Sequence, residues 1–317
     1  MDSTREYFSN LLQLDLLLNL IYKPLLFFVG IVGNYLIFYI YKMKYFLKIS
    51  TGFYYICLAL IDTISLFIIT LSHILLILQT SMGFNCDFLW PSSYVLSEFS
   101  AWLHVVISFD QLFFLNGIRF FAHNFLIQVL INIGLFVIIT LINVPNFINY
   151  EVLSTNDSFY CDHRLYEDRI IRNQIDLLLS SILPFMLTTI TGIMILTKLI
   201  RLKNKVGISG KSSIKKVYVK LSITVLGINL IYLLLNLPFC ILIILNNVEE
   251  RKFNYQISFG MRVIHRLKLT IGDFFICVNS SCCIFIHLAL NKKFREIFKL
   301  LFKNKLKNLS SIFMKSS

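Results

Sequence analysis

Apolar runs near the twenty residues that about 30 Å of hydrocarbon demands recur seven times along the chain. They fall near 22–43, 52–79, 88–115, 125–149, 173–199, 217–246 and 269–290. Phe125 to Phe147 carries no ionisable side chain, and Pro24 to Tyr41 is equally free of charge. Strands of a membrane barrel would be about ten residues long and strictly alternating, so the pattern predicts helices. The expected fold class is an all-α integral membrane protein, a seven-transmembrane helix bundle with a short amphipathic eighth helix. Residues 1–21 read as an extracellular N-terminus, 22–290 as the membrane domain and 291–317 as a cytoplasmic eighth helix and tail. The start, MDSTREYFSNLLQLDLLL, is polar and acidic and lacks a small-residue cleavage site, so the first span is expected to serve as an uncleaved targeting signal.

Composition supports that reading. Hydrophobic residues make up 57% of the chain and charged residues 15%, against about 25% charged in a typical soluble domain. That excludes a water-soluble enzyme of ordinary surface and any disordered or collagen-like class. A formal net charge of +13 would suggest nucleic acid in a soluble protein. Here, twenty of the thirty basic residues fall between spans one and two, three and four, and five and six, or after span seven. Short basic loops stay cytoplasmic, so the N-terminus is expected outside and the C-terminus in the cytosol. No nucleic-acid partner is required.

Five of the seven cysteines lie within spans, which leaves Cys86 at the outer end of span three and Cys161 in the second outer loop. In an oxidising compartment two such cysteines are expected to pair, the alternative being two free thiols. Asn156 opens an N-glycosylation sequon in the same loop; those at Asn279 and Asn308 lie in the membrane and cytosol and are expected to be silent.

An acid at the bilayer centre costs about 2.5–3.5 kcal/mol on insertion scales, so each asks for a partner. Asp62 lies at a depth similar to Asn34 and Asn279, which could bond it as interhelical glue or form a bistable or ion-holding centre with it. Glu98, Asp176 and Asp273 occupy the outer halves of spans three, five and seven. Either they line one cavity suited to a cationic ligand, or each is neutralised locally by a proton, Arg169, Arg172 or Lys268. Pro184 and Pro238 mark kinks in spans five and six. No HExxH, Gly-x-Ser-x-Gly or metal spacing occurs, His104 reads as a packed histidine, and no catalytic residue, metal or cofactor is expected.

From Gly33 to about Phe298 the residues resemble the rhodopsin-like G-protein-coupled receptors. Gly33-Asn34 is similar to the family's Gly-Asn in helix one, and Leu58 to Asp62 to its Leu-Ala-x-x-Asp in helix two. Cys86 lies where the family has its helix-three disulfide cysteine. Ser108-Phe109-Asp110-Gln111 resembles Ser-x-Asp-Arg with Gln for Arg. Leu235-Asn236-Leu237-Pro238 falls on the helix-six Cys-Trp-x-Pro site and keeps only the proline. Asn279 to His287 is similar to the end of helix seven in invertebrate peptide receptors of the FMRFamide-like type, with Cys283-Ile284-x-x-His287 in place of Asn-Pro-x-x-Tyr. Asn291 to Arg295 resembles the start of the eighth helix.

The resemblance implies a plasma-membrane receptor that takes an extracellular peptide or small ligand and passes a helix-six movement to a heterotrimeric G protein. Ser93 stands at the helix-three position where amine receptors of the family carry an aspartate, which favours a peptide. In the family the arginine after Asp110 restrains the inactive state and contacts the G protein; neutral Gln111 can do neither by charge. The expectation therefore divides between a receptor with unconventional coupling and one that has lost it. A transporter or channel is the alternative from another class, against which stand the odd span count and the lack of matched Gly/Pro-broken helices.

Overall fold

The computed structural model describes residues 2–43, 46, 49–78, 80–117, 125–155, 158–163, 166–206, 213–252 and 259–313. The described residues form α1 (Asp2–Tyr41), α2 (Ser50–Leu78), α3 (Trp90–Leu115), α4 (Phe125–Asn149), a hairpin of β1 (Tyr150–Thr155) and β2 (Ser158–His163), α5 (Tyr166–Leu177), α6 (Leu183–Val206), α7 (Ser213–Lys252), α8 (Phe259–Leu290) and α9 (Lys292–Phe313). Six stretches among them are long and apolar enough to cross a bilayer: Gln13–Tyr41, Thr51–Leu78, Phe125–Asn149, Gln174–Arg201, Leu221–Leu245 and Thr270–Leu290. Lipid offers the backbone no hydrogen-bond partner, so a chain this apolar satisfies itself within helices.

The pattern on α4 shows which solvent it is built for. Its buried residues are Gln128, Asn132, Ile139, Asn143 and Asn146, while Leu126, Leu130, Ile133, Val137, Leu141 and Ile148 are exposed. A helix in water buries its apolar stripe; this one is inverted, polar toward the bundle and greasy outside. The same is true of the exposed Leu, Ile and Phe along α1, α6 and α7. The chain is a multi-pass membrane protein.

Helix α3 carries Glu98, His104, Ser108, Asp110 and Gln111, all buried. It packs against α2, α4, α6 and α7. That position accounts for its buried polar side chains, because its neighbours are protein side chains rather than lipid. A π-helical segment, Asn85–Leu89, runs into α3 two residues ahead of Pro91, and a second, Leu178–Ile182, joins α5 to α6 two residues ahead of Pro184. A proline ring clashes with the carbonyl four residues back, and the wider π turn makes room for it.

At the other side of the bundle α1, α2 and α8 pack together. Small residues let membrane helices approach closely. A Cβ on Gly33 would lie 2.8 Å from Ile284 Cγ2, and one on Gly30 would lie 2.9 Å from Ser281 Oγ. Near the ends of these helices Tyr41, Tyr55, His287 and Phe294 form a fully buried ring cluster, with Tyr41 and His287 centroids 5.1 Å apart and Tyr55 and His287 4.8 Å apart. Asn291 ends α8 and caps α9, its Oδ1 accepting the Phe294 N–H at 3.1 Å. Arg295 turns back onto the last carbonyls of α8, Leu288 at 2.9 Å and Ala289, where the helix dipole favours a cation.

Two features differ from the sequence expectation. Helix α1 starts at Asp2 rather than near residue 22, because the Leu-rich stretch before Pro24 contains no breaker and continues the span. The loop after α4 folds as an antiparallel hairpin pairing Tyr150 with His163 and Val152 with Cys161; strands of six residues are too short to stand out beside twenty-residue helices. Replacing Gly33 with Leu is expected to cost about 1–3 kcal/mol by overpacking, read as a lower unfolding temperature in detergent. Gly134→Leu, where a Cβ meets nothing within 4 Å, is expected to leave it unchanged.

Candidate functional site

Polar side chains run through the bundle as a series of clusters, strung mainly along α3. At the hairpin end, Cys86 and Cys161 form a disulfide across a sequence separation of 75 with Cα atoms 5.2 Å apart. It ties β2 to the segment that leads into α3. Beside it Ser72 on α2 donates to Asn85 Oδ1 at 2.6 Å and accepts, through its carbonyl, from Asn85 Nδ2 at 3.2 Å. Asn156 lies outside the described residues.

Below the hairpin, α3, α4 and α5 share a buried ionic network. Asn143 Nδ2 donates to Glu98 Oε2 at 2.7 Å, and Asn146 Nδ2 donates to Asn143 Oδ1 at 2.9 Å and to Asp176 Oδ2 at 3.4 Å. Arg172 reaches in with Nε to Asn146 Oδ1 at 3.0 Å and Nη2 to Asp176 Oδ1 at 2.8 Å, while its Nη1 bonds the Ile142 carbonyl at 2.9 Å. The i, i+3 spacing of Asn143 and Asn146 turns both toward α3 and α5 on an otherwise lipid-facing helix.

Asp273 belongs to a different cluster, between α1, α2 and α8. Lys23, whose side chain is 1% exposed, lies 3.2 Å from Asp273 Oδ2 and also contacts His73 Nε2, itself 3.6 Å from the same carboxylate oxygen. Asn19 and Tyr22 extend the cluster by bonding the Thr270 hydroxyl at 3.1 Å and the Thr270 carbonyl at 3.1 Å. The three acids expected around one cavity are thus divided between two ionic clusters. Glu98 and Asp176 share one with Arg172, and Asp273, its side chain 34% exposed, takes Lys23. Lys268 bonds Glu249 at 2.7 Å instead.

Deeper in, buried Asp62 accepts from Ser100 on α3 at 2.7 Å and is bonded by Ser280 on α8. Asn34 enters through the backbone, donating to the Ser280 carbonyl at 3.2 Å, and the Asn279 carbonyl accepts from Cys282 Sγ at 3.4 Å. The centre is therefore held by serines rather than by direct bonds from the two asparagines.

A line of contacts joins α3 to α7. The rings of His104 and Tyr232 lie 4.7 Å apart, Asn229 Nδ2 donates to Ser108 Oγ at 2.8 Å, and Gln111 Nε2 donates to Ser222 Oγ at 2.6 Å. Numbers rise on α3 as they fall on α7, so the helices run antiparallel along one seam. Pro184 lacks the N–H that would bond the Ser180 carbonyl, and the Tyr232 hydroxyl approaches that carbonyl at 3.5 Å. Trp102 Nε1 donates to the neighbouring Leu179 carbonyl at 3.0 Å. The π-helical turn ahead of Pro184 is thereby contacted by side chains of α3 and α7, the way membrane helices re-satisfy freed groups.

The remaining expected positions are local. Ser93 Oγ donates to the Trp90 carbonyl at 2.7 Å, and Asn236 Nδ2 to the Tyr232 carbonyl at 2.8 Å, two residues before Pro238 within α7. Asp110 and Cys283 are buried, and His287 accepts or donates through Nδ1 to the Tyr41 hydroxyl at 3.1 Å. Sequence reasoning missed Lys23, His73, Asn143, Asn146, Ser222, Asn229 and Tyr232. Asn143 and Asn146 carried a readable signal, two amides one turn apart in a charge-free span; Lys23 gave none, since it stands at the edge of an apolar run next to Pro24. Among the described residues no group of three or more His, Cys, Asp or Glu could hold a metal ion. No protein-family model matches the chain, and no curated protein matches its sequence.

Breaking one partner of a buried ion pair costs about 3–5 kcal/mol, whereas apolar replacement of both is near neutral. Arg172→Met is expected to lower the unfolding temperature sharply, and Asp176→Leu added to it is expected to recover much of the loss.

Proposed function

We propose that the chain is a seven-helix plasma-membrane receptor of the rhodopsin-like type, with α3 as the seventh span, the N-terminus outside and the C-terminus in the cytosol. In this reading the hairpin roofs the extracellular mouth and α9 lies as an amphipathic eighth helix on the inner leaflet. The ligand enters under the hairpin, and α7 slides or tilts along α3 to present the basic segment before it to a heterotrimeric G protein. The observation that carries the reading is the α3–α7 seam. It connects a disulfide-anchored mouth to the far end of the bundle through three neutral contacts, each cheap to exchange.

An interhelical hydrogen bond in a membrane contributes on average about 0.6 kcal/mol, so the seam can restrain α7 without locking it. The Gln111 bond to Ser222 takes the place that a charged restraint would have. A peptide suits the mouth better than a small amine. Ser93 uses its hydroxyl on its own helix and offers no carboxylate, while Asp273 is partly open and can meet a basic group of a larger ligand.

A second reading, a receptor that has lost coupling, is favoured by the same Gln111, which is buried and neutral and spends its amide on Ser222. A cell-signalling screen of neuropeptides on the wild type beside Gln111→Arg separates the two. Response by the wild type is expected for a coupled receptor, response by the arginine variant alone would place the defect at this residue, and silence of both would favour loss of coupling. In a responding receptor Gln111→Leu is expected to raise ligand-independent signalling about threefold, the equivalent of one lost interhelical bond. Antibody access to the Lys-rich segment before α7 from outside intact cells would overturn the orientation.

A further inference from the structure

The Glu98 network lacks one donor and one positive charge, and both deficits fall on the same atom. Its side chains are two carboxylates, Glu98 and Asp176, one guanidinium, Arg172, and the uncharged Asn143 and Asn146. One negative charge is left over. The amide donors are spent as well. Asn143 Nδ2 serves Glu98 Oε2 and the Ile139 carbonyl, and Asn146 Nδ2 serves Asn143 and Asp176, which uses both hydrogens of each amide. Arg172 bonds Asn146, Asn143, Asp176 and the Ile142 carbonyl, with no bond to Glu98.

Glu98 Oε1 is left with no hydrogen-bond partner among the described residues, on a residue only 1% exposed. The charged groups nearest this carboxylate through the network are Arg172 and Asp176 from α5. From α4 it takes the amide bond of Asn143, and Tyr94 stands one turn away on α3 itself, bonded by the Tyr150 hydroxyl at 3.3 Å. A buried charge without compensation costs several kcal/mol. A water would supply the donor but leave the charge. The geometry points to a site for one small monovalent cation, a sodium-sized ion or a proton, taken up at Glu98 Oε1 between α3, α4 and α5. It belongs to the folded bundle whether or not α7 signals to a G protein.

Because the cation binds the folded state, loading it raises stability. The test is thermal unfolding of the purified full-length chain in detergent, in NaCl or choline chloride at equal ionic strength, at pH 5.5 and pH 8.5. Wild type in choline at pH 8.5 leaves the site empty and is expected to unfold at least about 2 °C lower than in the loaded condition. Stabilisation by NaCl at pH 8.5 identifies the alkali ion; stabilisation by acid alone identifies the proton. Glu98→Gln removes the surplus negative charge while keeping the side chain's shape. It is expected to unfold at one temperature in all four buffers, no lower than loaded wild type, whereas a merely structural carboxylate would make it less stable everywhere. Should Glu98→Gln fail to accumulate, Asp176→Asn removes the same charge and is expected to flatten the dependence too. A wild type indifferent to both ion and pH, a dependence that persists in Glu98→Gln, or one lost only in Asp62→Asn would each overturn the site.

Discussion

Lipid will not hydrogen-bond to a protein, and this governs the placement of the polar groups within the described spans. The apolar exterior of α4 and the amides on its inner face are two sides of one requirement: what lipid cannot satisfy must turn inward and find a neighbour. The demand concentrates on α3, the helix with the most protein around it. Glu98 faces α4, Ser100 faces α2, and His104, Ser108 and Gln111 face α7, so α3 is held by directional contacts at successive depths. In a membrane, where apolar burial does not drive helices together, such contacts and close packing decide how they pair.

The same requirement gives the prolines a structural consequence. Pro184 removes a donor, and the protein answers with a π-helical turn and two side chains from other helices, Trp102 and Tyr232. Tyr232 also stacks near His104. One residue of α7 therefore touches both the π-helical turn joining α5 to α6 and the centre of α3, so a displacement of α7 disturbs two interfaces at once. The disulfide acts differently: it fixes the hairpin to the start of α3 and leaves the seam beyond it free to move.

Much of the architecture was legible in the sequence because hydrocarbon thickness imposes a length on every span, and apolar runs of that length are visible without knowing who packs on whom. The cysteine pair was legible for a related reason, since only two thiols escape the spans. Partner choice was not. Asp176 and Asp273 lie at similar depths in the chain's pattern, yet helix rotation sends one to Arg172 and the other to Lys23, and rotation is set by packing that hydropathy does not encode. Lys23 was hidden by its place beside Pro24 at the edge of the run. The serines around Asp62 were hidden because hydroxyls in membrane helices usually bond their own backbone, as Ser93 does. The hairpin was missed because six residues are too few for alternation to declare itself.

Asn291 carries a mechanical implication. It is the last hinge point of α8 and the first anchor of α9, its own N–H held by the His287 carbonyl at 2.9 Å while its side chain clasps Phe294. With Arg295 stapled back across the joint, the two helices form a stiff elbow. Any twist of α8 about its long axis must then swing α9 sideways like a crank arm, converting a small internal rotation into a wide sweep of its lysines.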